Sequence, residues 1–250
     1  MRFATLLAVM LAFSAQAQVE RLDHAISASG LSVAFPNDHT CEPISSPFSS
    51  PTRHDGSLRR GDRNGGLHGG IDLSLKAGTP LLAIADGEVI ALGEGGALEG
   101  IYIWLRHRPE DTGSPYFVFS KYQHLSALPT LKVGGHVMAG KVVGLSGATG
   151  TAGKHYGFNG YAHLHLSTFY GSSDEYEIKG MYGSMVSGKD ARLDDPLILY
   201  LEGLQDISAI RNLPDERKTV RPAVVGDDGS IHPEGRKTVW PVSCRELTQR

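Results

Sequence analysis

Three short stretches hold side chains whose types and spacing could do chemistry together. In His68-Gly69-Gly70-Ile71-Asp72 an imidazole and a carboxylate stand four residues apart. That even spacing puts both on one face of an extended chain. The two glycines, with the Ile-Asp-Leu-Ser-Leu run that begins at Ile71, read as a loop entering a strand rather than a helix. Imidazole nitrogen with carboxylate oxygen suits a divalent, zinc-like metal. In His163-Leu164-His165 a strand would place both imidazoles on one face and Leu164 on the other. Alone, this pattern fits two polar histidines on a solvent face as well as a pair of metal ligands. The third stretch, Tyr122-Gln123-His124-Leu125-Ser126, puts one more histidine at the end of a β-like run.

The elements that must position these groups are short strands. The chain has 31 glycines and 13 prolines in 250 residues, with glycine well above the usual level of roughly 7%. From about residue 67 to 204 it runs as β-like segments bounded by Gly. These are Ile71 to Leu75, Leu81 to Ala85, Glu88 to Leu92, Ile101 to His107, Tyr116 to Leu125, Lys141 to Ser146 and Ala162 to Tyr170. Leu197 to Leu204 suits a short helix and a strand equally. Residues 18–66 read as an N-terminal arm with a Pro/Ser-rich stretch and a Gly-rich loop. In the extension 205–250, Arg221 to Val225 and Thr238 to Val242 flank Asp227-Asp228-Gly229 and read as a hairpin.

Composition excludes several classes. A 40% apolar share and 20% charged residues exclude a disordered chain. A net charge of −3 excludes a broad basic surface for nucleic acid or anionic lipid. Residues 1–17 carry a positive start, an apolar run from Phe3 to Phe13 and the small-x-small sequence Ala15-Gln16-Ala17. That is the pattern of an export signal cleaved after Ala17, too short to span a bilayer, and no transmembrane anchor is expected. In an oxidising compartment, periplasmic or secreted, two thiols pair, so Cys41 and Cys244 are expected to form a disulfide pinning the tail to the arm.

Taken in order, these features resemble the M23 zinc metallopeptidases, the lysostaphin- and LytM-like peptidoglycan endopeptidases. The resemblance begins near residue 48, with Phe48 and His68 to Asp72. It runs through Lys76-Ala77-Gly78-Thr79-Pro80, Ala85-Asp86-Gly87-Glu88-Val89 and Tyr122 to Ser126. It continues with Val133-Gly134-Gly135-His136-Val137, Ser146 to Thr151, His163-Leu164-His165 and Asp195-Pro196-Leu197. It implies a mainly β domain over 67–204, an antiparallel sheet with a narrow groove. It implies one Zn²⁺ per chain held by His68, Asp72 and His165, with His124 and His163 acting on water and the scissile carbonyl. Three protein ligands leave a fourth position for water, as catalysis requires. The implied substrate is a peptide bond in peptidoglycan cross-links or stem peptides, with activity falling below about pH 6 as imidazoles charge.

The sequence departs from the family at two places. Ala152 to Ala162 inserts a longer Gly/Tyr loop before His163, and Ser167 stands where the family commonly has Glu. Other roles stay open. The chain could be a latent enzyme, with Asn37, Asp38 or His39 occupying the open metal position until a protein activator moves them. It could instead be a non-catalytic regulator of another wall hydrolase, or an enzyme aimed at other proteins or competitors' walls. His107 is read as structural, His136 as part of a Gly-rich turn, His155 as a residue that could line the groove, and His24, His39, His54 and His232 as solvated.

Overall fold

The computed structural model describes residues 26–59, 64–151, 156–179 and 185–247. The leader expected over 1–17, together with His24 and His155, lies outside the described residues. Each β-like run read from the sequence over 71–170 overlaps a strand; Val142–Leu145, paired with Pro80–Leu82, matches its run within a residue, as do four strands of the main sheet, Ile71–Ser74, Ile101–His107, Phe117–Leu125 and His163–Gly171. These four join Gly87–Glu94, His136–Val137, Ile44–Ser46 and Arg192–Asp194 in one eight-stranded sheet, and every pairing in it is antiparallel. The spatial order runs from Ile44–Ser46 through Ile71–Ser74, His163–Gly171, Phe117–Leu125, Ile101–His107 and Gly87–Glu94 to His136–Val137.

Alternation decides which side chains meet. Ile71, Leu73, Leu164, Leu166, Tyr122, Ile103 and Leu105 are fully buried in one core cluster on one side of the sheet. Register then places Asp72 directly opposite His165, and His163 opposite Ser74, on the other side. That second side is packed further along by Tyr102, Trp104 and Phe119. Leu164 anchors in the core, so the two histidines flanking it in sequence must face the groove.

The ends of the chain close over this sheet. The arm is partly structural: Ile44–Ser46 is an edge strand of the sheet, and Ile26 and Phe48 are buried in its core. Cys41 and Cys244 form a disulfide, and His39–Thr40 pairs beside it with Arg245–Glu246. The tail differs from the expected hairpin. Val224–Val225 pairs with Ile231–His232, whereas Thr238 to Val242 lies along the body, with Val239 N–H donating to Ile84 O. The reason is burial: Val239 and Trp240 are fully buried, and that apolar run is worth more against the core than in an exposed ribbon. The undecided segment is a 3₁₀-helix, Pro196–Tyr200, capped by Asp195, whose carboxylate accepts from Leu197 N–H.

A candidate metal centre flanked by two imidazoles

The strand pair places three ligand-type groups together. The ligand atoms of His68, Asp72 and His165 lie within 4.8 Å of one another. Asp72 Oδ1 is 3.1 Å from His68 Nε2 and 2.9 Å from His165 Nδ1. Gly70 lets the loop come this close: a side chain there would meet Leu166 O at 2.3 Å.

Hydrogen bonds at the far side of each ring decide which nitrogen carries a proton. His68 Nδ1–H donates to Pro47 O at 3.0 Å, so its Nε2 presents a lone pair. Ser167 Oγ donates to Gly69 O at 2.8 Å. Its oxygen therefore accepts from His165 Nε2–H at 2.9 Å, which leaves the lone pair of His165 on Nδ1. The two lone pairs face each other at 3.0 Å, with a carboxylate oxygen beside both. Three acceptors converging without a donor between them fit a cation. Ligands 2.0–2.1 Å from a tetrahedral zinc sit roughly 3.3 Å apart, near the spacing seen. The donor set therefore fits a divalent metal.

His163 and His124 complete the group. His163 Nδ1–H donates to Tyr161 O and His124 Nδ1–H to Thr149 O, each at 2.8 Å. Each therefore keeps Nε2 as an acceptor, and that of His163 lies 3.7 Å from Asp72 Oδ1. The rings of His124 and His163 lie 4.6 Å apart. His124 has a left-handed backbone, φ 64°. Such a conformation costs a non-glycine residue about 1–3 kcal/mol and clusters at functional sites.

Burial tunes these groups. It pushes His124, His163 and His165 each down to about 4, so all three rings are neutral at pH 7. Burial alone would raise the Asp72 carboxyl, but the imidazoles of His68 and His165 hold it well below the usual carboxylate range.

All five residues singled out in the sequence meet here. Others went unread. Arg59 Nη2 reaches Asp72 Oδ2 at 3.3 Å and Ser46 Oγ at 3.0 Å, and its position in a loop gives no periodic signal. His54, read as solvated, stacks on Tyr161 with centroids 3.8 Å apart. His39, also read as solvated, is buried, hydrogen-bonded to Asp38 and packed near His232. It is held by the tail, so it does not occupy the metal position. His107 is structural, bonded to Asp86 O and Ser120 Oγ. His136 is exposed, on the short strand His136–Val137.

An antiparallel β-domain with a His-Asp-His donor set defines the class of protein. Residues 66–176 match the model of Peptidase family M23. A relative from Haemophilus influenzae named "Uncharacterized metalloprotease" is 39% identical over 117 residues, 45% of this chain and 21% of its own length. "Glycyl-glycine endopeptidase ALE-1" from Staphylococcus capitis is 39% identical over 87 residues, 35% of this chain and 22% of its own. The solved catalytic domain of the antimicrobial peptidase lysostaphin from Staphylococcus simulans is 24% identical, with a TM-score of 0.37, over 61% of this chain and 90% of that one. The chain spans about a fifth of the length of these two curated relatives.

Proposed function

We propose that this chain is an exported zinc endopeptidase that hydrolyses peptide bonds in peptidoglycan cross-links or stem peptides. One observation carries the reading: three acceptor atoms of His68, Asp72 and His165 converge beside two neutral imidazoles. His68, Asp72 and His165 are the proposed ligands, and His124 and His163 the proposed acid–base pair. Zinc, when bound, supplies a Lewis acid for the scissile carbonyl and a water of lowered pKa.

The chain's own residues do the rest. Both flanking imidazoles keep Nε2 as an acceptor, so either can take a proton from the attacking water. The ring so charged can return that proton to the leaving amine, and the other, with Nε2 as an acceptor, can orient the attacking water. Positioned acid–base groups of this kind contribute about 10²–10⁴-fold. The substrate class rests on the family match and on relatives named for glycyl-glycine cleavage. Export to the periplasm or beyond rests on the sequence of residues 1–17 and agrees with the Cys41–Cys244 bridge.

The test is to incubate zinc-loaded protein with purified sacculi and identify the released fragments by mass spectrometry, alongside His165→Ala and His163→Ala. The reading expects new amine ends at one defined peptide bond, absent in both variants. No release from any wall type, with zinc stoichiometrically bound, would instead assign the chain to the regulators of other hydrolases.

A further inference from the structure

Tyr161 stands in the inserted loop that separates this sequence from its family pattern, and it packs directly against the site. Its ring lies against the imidazole of His163, centroids 4.6 Å apart and planes 19° from parallel. The ring of His54, from the arm, packs against it at 3.8 Å and 10°. Its hydroxyl makes a short hydrogen bond with Ser74 Oγ and lies 3.4 Å from Ser45 Oγ, so it reaches two strands of the sheet. Its backbone is fixed as well: Tyr161 N–H donates to Thr151 Oγ1 at 2.9 Å, and Thr151 Oγ1 donates to Ala148 O. The carbonyl of the same residue accepts from His163 Nδ1–H.

We infer that Tyr161 is a positioning residue for His163, and that it ties the N-terminal arm to that imidazole. The inference rests on the proposed reading of His163 as an acid–base group. An imidazole turns about two side-chain bonds. One hydrogen bond at Nδ1 fixes the tautomer but leaves the ring plane free to rock about that contact. Stacking on Tyr161 limits this freedom, and the tilted ring of His124 packs against the same imidazole at 4.6 Å. Any residue at 161 supplies the carbonyl, so the side chain adds the ring plane and the link to His54. A loop residue that merely filled space would not need its hydroxyl anchored on two strands and both ring faces occupied.

The test compares Tyr161→Leu, Tyr161→Phe and His54→Ala in the full zinc-loaded chain. The substrate is a soluble cross-linked muropeptide. Tyr161→Leu is expected to lower kcat by up to about a hundredfold, the loss that a misplacement of about an ångström can cause. KM, zinc content and the thermal midpoint stay at wild-type values. Tyr161→Phe keeps the ring and restores most of the rate, and His54→Ala gives a smaller loss. A second readout does not depend on activity. The His163 Nδ1–H signal in the proton NMR spectrum is sharp in wild type and in Tyr161→Phe, and broadened or absent in Tyr161→Leu. An inactive wild type would sink the functional reading, while the NMR comparison would still decide the inference. An unchanged kcat and signal in Tyr161→Leu would overturn it. So would a loss of rate matched by loss of zinc or of thermal stability, which marks general packing.

Discussion

His68 Nε2 and His165 Nδ1 face each other at 3.0 Å, and the other nitrogen of each ring is already committed as a donor, to Pro47 O and to Ser167 Oγ. With Asp72 Oδ1 beside both, three acceptors converge where a cation would sit. Zinc is therefore expected to bind and to raise the thermal midpoint. At a hundred times Kd the stabilisation is about 2.7 kcal/mol. Thermal melts with zinc, with magnesium and after chelation check this. A midpoint indifferent to zinc would remove the metal centre.

Ser167 gives the second prediction. Its hydroxyl accepts from His165 Nε2–H while donating to Gly69 O, and it is buried. Ser167→Ala takes the acceptor away, so the ring loses its fixed tautomer and orientation. Losing such a partner to a metal ligand typically weakens metal affinity about 10–100-fold. Competition with a zinc chelator measures the change, and an affinity equal to wild type would contradict it.

The legibility of this site follows from how local each signal was. Asp72, His163 and His165 lie on runs whose period of two is set by buried neighbours such as Leu73 and Leu164, and His68 stands in the loop just before the first of them, so their grouping could be read before any pairing was known. Their register could not, because nothing in the residues near Asp72 states which strand it faces. Arg59, His54 and Tyr161 were illegible as partners for a different reason. They come from loops, where contacts depend on chain path rather than on periodicity. The tail misled because its two runs meet through a parallel bridge, Ala223 with Val239, rather than as an antiparallel hairpin, while Val239 and Trp240 are buried in succession against the body.

Acid behaviour is a third prediction, and it moves the expectation drawn from ordinary histidines. Burial holds His124 and His163 neutral down to about 4, so the acid limb of the rate should fall well below pH 6. Stability has its own sign. A histidine whose folded pKa lies below the unfolded value of about 6.5 contributes stability above that pH, and the contribution is lost as pH falls towards the folded value. His124, His163 and His165 all act in this direction. Asp195, pushed up to about 6 by burial, acts against them. Three groups outweigh one, so the chelated protein should lose stability between about pH 6.5 and about pH 4. Urea midpoints across that range check it, and a flat profile would refute it.

The Cys41–Cys244 bridge closes a span of 203 residues. In the chain-entropy model a loop this long is worth about 5 kcal/mol, and removing native bridges typically costs 2–5 kcal/mol. Cys41 lies just before Ile44–Ser46, and the carbonyl of Pro47 holds His68, so the loss should reach the metal site as well. Replacing both cysteines with serine is expected to lower the denaturant midpoint and weaken zinc binding together. An unchanged midpoint would show that the flanking strand pair holds the tail alone.

The last prediction concerns a buried ion pair on the same side of the sheet. Lys121 and Glu99 are 3% and 4% exposed and form a short ion pair. Gln123 Nε2 also donates to Glu99 Oε2, at 2.7 Å, and Gln123 stands opposite His165 in register. Lys121 Nζ lies 5.3 Å from the ring centroids of both Tyr102 and Trp104. Lys121→Met keeps the chain length and the contact with those rings but strips Glu99 of its bonded cation. Breaking one side of a buried pair costs about 3–5 kcal/mol. Adding Glu99→Gln removes the stranded charge and retains a hydrogen-bonding amide, so the double variant should recover much of that loss. Equilibrium unfolding of the two single variants and the double variant closes the cycle. Additive losses would mean that Lys121 is held by its aromatic neighbours and that Glu99 does not depend on it.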